Sequence, residues 1–443
     1  MGSPFILSGN TLRPVRFQRN HKRTMKKNPL LHIALLLSLL LCGTDCTAKE
    51  KAGKGFVTIQ GDNLINPDGT KLYITGTNLG NWLNPEGYMF SFKKTNCEWM
   101  INSMICQLAG PDFARLFWQK FKDCYVTEDD IAFIKRTGAN TIRLPFNYKL
   151  FTSEDYMGKN DDQEGFRLID KTVGWCRKYG LKLILDMHDC PGGQTGDNID
   201  NGYGYPWLFE SEESQQLFCD IWQRIAERYK DETVILGYEP MNEPIATMFT
   251  KEVQSRLNAQ LEPLYKKVVK AIRKVDTNHI IILGGAQWNS NFEPFTDWTF
   301  DSKIIYSCHR YGGEPTANAI KSFIDFKNKT GLPMYMGEIG HNTDEWQAEF
   351  CKTMKAANIG YTFWPYKKIE NSCMMGIPKP EQWDSIIVKF SEADRSSFDA
   401  IRKARPDQSV AKNLLLQFVE NAKMRNCIQQ KGYIKSMGLA PTE

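Results

Sequence analysis

Histidine is scarce in this chain, with six in 443 residues. It has no His-x-His pair and no Cys-x-x-Cys pair, so the spacings that build zinc ribbons are missing. No glycine-rich phosphate loop follows the first strand pattern, because Gly76-Thr-Asn-Leu-Gly80 does not match one. The apolar run from Leu30 to Leu41 has 12 residues. A membrane-spanning helix needs roughly 20. No internal repeat is visible beyond an alternation of strand and helix patterns.

Net charge is also lacking once the leader is set aside. Met25-Lys26-Lys27, the apolar run and Cys46-Thr47-Ala48 read as the n-region, h-region and cleavage site of a signal peptide. Cleavage after Ala48 is expected, with Met25 as the working start and 1–24 as upstream misreading. A lipoprotein acylated at Cys42 or Cys46 is the alternative, and it ranks second because neither Leu41 nor Asp45 is small. Export to the cell surface, periplasm or medium follows from either. Residues 1–48 hold seven Lys/Arg and one Asp, so the remainder keeps 49 basic against 50 acidic residues, a net charge of −1. That balance gives no reason to expect a nucleic-acid or anionic-membrane partner. No cofactor and no membrane span are expected, and a monomer is.

Ten cysteines remain after the leader. Cys176, Cys219 and Cys351 fall in apolar helical patterns and read as core. Cys97, Cys106 and Cys124 lie in a segment without clear periodicity and are the better bridge candidates.

What is present is a repeating β/α pattern. Strand patterns begin near residues 72, 140, 181, 234, 279, 303, 333 and 360. Helical patterns near 127–138, 166–179, 215–229, 253–275, 317–329, 346–357 and 382–390 mostly separate or follow them. The 279–303 connection is the weak point. Lys71-Leu-Tyr-Ile-Thr-Gly-Thr-Asn78 reads as the first strand. Alternation of this kind implies parallel strands, and eight units imply a closed (β/α)8 TIM barrel over 55–395 rather than an open sheet. Residues 396–443 are expected to form a helical extension packed on the barrel, through Leu414, Leu415, Leu416, Phe418 and Val419.

Chemistry in such a barrel sits at the C-terminal ends of its strands. The polar residues gather there: Asn78, Arg143, His188, Asn242 with Glu243, His309 with Tyr311, Glu338, and Trp364. Singly, each is more often a cap or loop residue. Jointly, they point to one site. Tyr238-Glu239-Pro240-Met241-Asn242-Glu243-Pro244 and Pro333-Met-Tyr-Met-Gly-Glu338 each place a glutamate at a strand end. Paired carboxylates suit glycoside hydrolysis, in which one donates a proton and another stays ionised on the opposite face. Arg143 is expected to keep one carboxylate ionised. Tyr311 is placed to bond the nucleophile, and Asn242 to hold a sugar hydroxyl. Glu239 shares strand parity with Glu243 but lies deeper. Trp364, Trp288, Trp207 and Trp82 offer flat apolar faces for sugar rings, or else pack in the core.

The combination of Arg143, Leu185-Asp-Met-His188, Asn242-Glu243-Pro244, His309-Arg-Tyr311, Gly337-Glu338 and Trp364 resembles glycoside hydrolase family 5, the cellulase-like retaining glycosidases. The resemblance covers roughly 55–395. It implies that Glu243 is the acid/base and Glu338 the nucleophile. It also implies that Arg143, His188, Asn242, His309, Tyr311 and Trp364 bind substrate, an oligo- or polysaccharide with β-glucan foremost. Gly76-Thr-Asn-Leu-Gly-Asn-Trp82 and Pro191-Gly-Gly-Gln-Thr-Gly196 look most like the branch with β-1,3-glucanases. The chain departs from that branch over 84–125 and in its tail. Two rivals remain at this level. A metal-dependent barrel hydrolase would use Asp186, His188 and His309, and an inactive barrel would only bind glycans. Both glutamates are intact, which argues against the inactive barrel.

Overall fold

The computed structural model describes residues 55–442. The leader and its cleavage site lie outside the described residues.

Eight parallel strands close into a barrel in the order 7-8-1-2-3-4-5-6. They are β1 Thr75–Asn78, β2 Thr141–Asn147, β3 Lys182–Asp189, β4 Ile235–Glu239, β5 Ile280–Gly284, β6 Ile304–His309, β7 Met334–Ile339 and β8 Gly360–Phe363. The helices outside it include α1 Glu98–Ala109, α2 Pro111–Tyr125, α3 Glu128–Arg136, α4 Glu164–Tyr179, α5 Glu212–Tyr229, α6 Lys251–Arg273, α7 Lys321–Thr330, α8 Asp344–Ala356 and α9 Gln408–Asn421. This is the (β/α)8 barrel that the alternation implies. None of the helices among the described residues is long and apolar enough to cross a membrane.

Strand parity divides the residues. On β2, Ile142, Leu144 and Phe146 face the helices, as do Leu183, Leu185 and Met187 on β3, and all join the large outer core. The alternate positions turn into the barrel. Its lower interior is filled by Ile184, Leu236, Ile280, Ile282, Ile305 and Tyr335. Val57, Leu64 and Leu72 close it from below.

That closure corrects the first-strand boundary. Lys71-Leu72 pairs antiparallel with Asn63–Ile65 in a three-stranded sheet, and only Thr75–Asn78 enters the barrel. One extended sequence run thus serves two sheets, with Ile74 plugging the barrel floor. The 279–303 connection has no full helix. It holds a single irregular turn, Ala286–Asn289, in which Gln287 and Trp288 take left-handed backbone conformations. The helix expected at 382–390 is a π-helical turn, Asp384–Val388, running into Lys389–Ser391.

The segment 84–125 is mostly helical. Phe117, Trp118, Phe121 and Tyr125 bury one face of α2; Phe121 stacks on Phe418 of α9, and Phe90 tilts against it. Phe418 also stacks on Trp383 at 5.2 Å. The expected bridges are not formed: Cys97, Cys106 and Cys124 are free thiols. Cys97 is buried at the α1 N-cap, Cys106 faces Asn102 on its own helix, and Cys124 lies on α2, so helix packing and not cross-linking orders this region.

Candidate active site

Above the apolar floor comes a charged layer. Arg143 is fully buried, on β2 in register with Asn78 of β1. Its Nε and Nη2 donate to the two oxygens of Glu239 at 2.8 and 3.2 Å. Nη1 donates to Glu338 Oε1 at 2.7 Å and to Asn78 Oδ1 at 3.0 Å. Nη2 also donates to Asn242 Oδ1 at 2.7 Å and lies 3.1 Å from Asp186 Oδ2. One guanidinium thus organises carboxylates from β3, β4 and β7, with five donors in a rigid fork. Burial raises the Glu239 carboxyl, but the charge and hydrogen bonds of Arg143 outweigh it and hold Glu239 below the usual range. Burial also drives Asp186 well above its ordinary value, only partly offset by Arg143.

A chain of hydrogen bonds runs upward from this layer. Burial lowers His188 to about 4, so its ring is neutral near pH 7. A neutral ring fits Nδ1–H donating to Asp186 Oδ2 at 2.8 Å and Nε2 accepting from Asn242 Nδ2 at 3.3 Å. That order also fixes the Asn242 amide, whose oxygen already accepts from Arg143.

The two glutamates meet at the top. Glu338 takes Arg143 on Oε1 and the Tyr311 hydroxyl on Oε2. Glu243 Oε1 lies 2.8 Å from His309 Nδ1. A carboxylate oxygen of each glutamate and a ring nitrogen of His309 lie within 4.8 Å of one another. Burial pushes Glu243 up to about 7. The two carboxyls therefore have different partners: a cation and a phenol for one, an imidazole for the other.

The backbone around Glu243 is forced. Its φ of 45° is left-handed, which a residue with a side chain rarely adopts. Thr195 Oγ1 donates to the Glu243 carbonyl at 2.7 Å, and Ile245 N donates to Gln194 O at 2.9 Å. The Gln194 amide donates to the carbonyls of His188 and Asn242. The loop after β3 thus clamps the end of β4. Two glycines are sterically required. A Cβ at Gly337 would sit 2.5 Å from Ser307 Oγ and 2.8 Å from His309 Nε2, and one at Gly80 would sit 2.8 Å from the Trp364 ring. Trp364 stacks face to face on His188 at 5.0 Å. From the tail, Tyr433 donates to its carbonyl at 3.1 Å.

A cavity of about 330 Å3 opens over these groups. His188, Glu243, Tyr311, Glu338 and Trp364 of the expected set line it. Arg143, Asn242 and His309 lie beneath, buried, and act on the cavity through the groups they hold. Four lining residues escaped the sequence reading: Glu86, Tyr88, Ile199 and His341. Trp364 Nε1 donates to the Tyr88 hydroxyl at 2.6 Å. Glu86 is buried with Oε1 unpaired, and burial, then the Glu338 and Glu243 charges, raise its carboxyl well above the ordinary value. The tryptophans divide. Trp82 is core, its N–H bonded to Lys122 O, while Trp288 and Trp207 are not among the residues around this cavity.

The metal trio Asp186, His188 and His309 is not brought together as a ligand set: Asp186 and His188 bond each other, and His309 turns to Glu243. Among the described residues the cluster with ligand spacing is Glu243, His309 and Glu338. A cation there would face the Arg143 guanidinium already on Glu338.

A (β/α)8 barrel with two facing glutamates in a polar pocket at its C-terminal mouth has the architecture of a glycosidase. The family model for cellulase, glycosyl hydrolase family 5, matches residues 90–369, and this chain belongs to that family. It is 33% identical over 269 residues to a β-xylosidase of Phanerodontia chrysosporium, covering 59% of this chain and 53% of that protein. It is 26% identical to endoglucanase C of Acetivibrio thermocellus, covering 58% and 88%. A glucan 1,3-beta-glucosidase of Kluyveromyces lactis is 28% identical, covering 49% and 52%. The chain thus spans about half the length of the first and third of these relatives. The rutinosidase structure from Aspergillus niger matches 68% of this chain and 91% of its own at 18% identity, with a TM-score of 0.53, a likeness of fold.

Proposed function

We propose that this chain is an exported retaining β-glycosidase that cleaves a β-linked glucan by double displacement. Glu338 is the nucleophile and Glu243 the acid/base. The observation that carries this reading is the approach of one oxygen of each carboxyl to within 4.8 Å. Retaining pairs stand about 5–5.5 Å apart and inverting pairs about 6.5–9.5 Å.

Each group suits its step. Glu338 is aimed by Arg143 and Tyr311, so its oxygen attacks the anomeric carbon as Glu243 gives its proton to the leaving oxygen. In the second step Glu243 takes a proton from water, which releases the sugar from Glu338. His309 Nδ1 meets Glu243 Oε1 and steadies that carboxyl as its charge changes. His188, Trp364 and Tyr311 touch the sugar. Glu86, with an unpaired oxygen, accepts a sugar hydroxyl. The glucan assignment draws on two of the three relatives above, an endoglucanase and a glucan glucosidase by name. The cavity is at the small end of the about 300–1,000 Å3 typical of ligand sites, so it takes a short stretch of glycan. A reducing-sugar screen over β-glucans, mannans, xyloglucan and aryl glycosides tests the substrate. Hydrolysis of mannan alone would overturn the glucan assignment. Full activity in a strong chelator is expected, and its loss would favour the metal reading.

The raised Glu243 carboxyl sets a pH limit. The acid must hold its proton in the free enzyme, so kcat/KM should fall as pH rises through about 7. A profile flat to pH 9 would contradict the assignment. Export is tested by N-terminal sequencing of the secreted protein, which should begin near Lys49 or, if lipidated, at a modified cysteine. An intact Met1 would overturn it.

A further inference from the structure

Trp207 was a candidate for sugar stacking, and the structure places it elsewhere on the same face of the barrel. It lines a second cavity, of about 430 Å3, with Tyr148, Glu154, Tyr203, Glu213 and Ser214. Tyr148 follows the C-terminal end of β2, and Tyr203 and Trp207 follow that of β3, so this cavity opens on the catalytic side. Trp207 and Tyr203 are each 49% exposed. A single exposed aromatic is ordinary on a protein surface, but these two line one cavity.

The walls are built and held. Tyr205 tilts against Trp207 at 4.7 Å, and Tyr205 is itself fixed by Glu210 and Arg256. The Trp207 backbone N–H donates to Gly192 O at 3.1 Å, tying its main chain to the start of the loop. The Asp200 carboxylate accepts from the backbone N–H groups of Thr195, Gly196 and Gly202, and Asn201 donates to Asp189. This pinned loop, 190–207, carries Ile199 into the first cavity and Tyr203 and Trp207 into the second. Glu154 and Glu213 add carboxylates at the edge, and Tyr148 donates to Glu154 at 3.3 Å.

We propose that this second cavity is a distal glycan-holding site, in which Trp207 and Tyr203 stack on sugar rings of the β-glucan chain whose cleaved end lies at Glu243 and Glu338. Flat aromatic faces match the apolar C–H faces of pyranose rings, and carboxylates accept from paired hydroxyls. A cationic ligand would also suit the two glutamates and the aromatic faces, but the loop 190–207 lines both this cavity and the catalytic one, which favours the glucan chain. The choice of a glucan rests on the functional reading above. The short catalytic cavity makes a second hold useful, since it anchors a polymer without tightening the reacting sugar.

The test uses the full secreted chain and the variants Trp207→Ala, Tyr203→Ala and Trp207→Phe. Three readouts are compared: kcat/KM on an aryl β-glucoside, KM and kcat on soluble β-glucan, and retardation in native gels containing that glucan. Both alanine variants should leave the aryl glucoside within about twofold. They should raise the polymer KM about tenfold with kcat little changed, as expected for one lost ring contact. They should also abolish retardation, and Trp207→Phe should restore most of it. An unchanged polymer KM and retardation would overturn the distal site while leaving the glycosidase reading intact. An equal loss on the aryl glucoside would place Trp207 in the catalytic pocket and overturn it too. A wild type that is retarded by glucan yet cleaves none would sink the functional reading and leave the distal site standing.

Discussion

Glu338→Ala should be inactive on every glycoside, activated or not. Without its carboxylate no covalent intermediate can form, and the opposing glutamate cannot substitute from its own side of the sugar. Glu243→Ala should behave differently. A sugar leaving group needs its oxygen protonated, so oligosaccharide cleavage should fall by about 10²–10⁴. A phenol with an acidic hydroxyl leaves with little help, so an activated aryl glycoside should still form the glycosyl-enzyme. That species should then accumulate, because water lacks its base, and a burst of phenol should precede a slow steady state. The contrast arises from the partners already described: Arg143 and Tyr311 on Glu338, His309 on Glu243. If Glu338→Ala turned over the aryl substrate normally while Glu243→Ala gave no burst, the roles would be reversed.

The second large effect is on stability. Arg143→Met should destabilise the fold by about 3–5 kcal/mol, the usual cost of removing one partner from a buried ionic cluster. Glu239 would lose both of its Arg143 contacts and keep only the Tyr335 hydroxyl, at 2.6 Å. Glu338 and Asn242 would lose their shared anchor. Arg143→Lys keeps the charge, so it should lose less stability. A single ammonium cannot reach Glu239, Glu338 and Asn242 together, so activity should still fall by orders of magnitude. Urea unfolding and aryl-glycoside kinetics on both variants separate these effects. An Arg143→Met protein within about 1 kcal/mol of wild type would contradict the anchoring role.

Much of this site could be read from the chain because each barrel strand announces itself. A short apolar run, such as Ile304–His309, ends in residues that a strand end would otherwise not need. Asn242-Glu243, His309 and Glu338 were found by that rule alone. The charged layer below was only half visible. Asp186 and His188 share parity, and so do Glu239 and Glu243, but neither pattern says that one arginine reaches across from β2. Glu86, Ile199 and His341 come from loops and Tyr88 from a single 3-10 turn, where no period links sequence to position. The split at Lys71-Leu72 was hidden because one extended run serves two sheets. The helix α2 did carry a signal, in the spacing of Phe113, Phe117 and Phe121, four residues apart on one helix face. Loop chemistry also set the tryptophans apart: Trp82 went into the core, Trp364 into the catalytic cavity and Trp207 to its neighbour.

The claim on which the rest depends is that Glu338 bonds to the sugar on one face and Glu243 then directs water to the opposite face, the one the leaving group occupied. Proton NMR of the first sugar released from a β-linked substrate measures this directly, before mutarotation mixes the anomers. The paired carboxyls, with an oxygen of each within 4.8 Å of the other, predict the β-anomer as the initial product. An initial α-anomer would mean single displacement by water and would contradict the account.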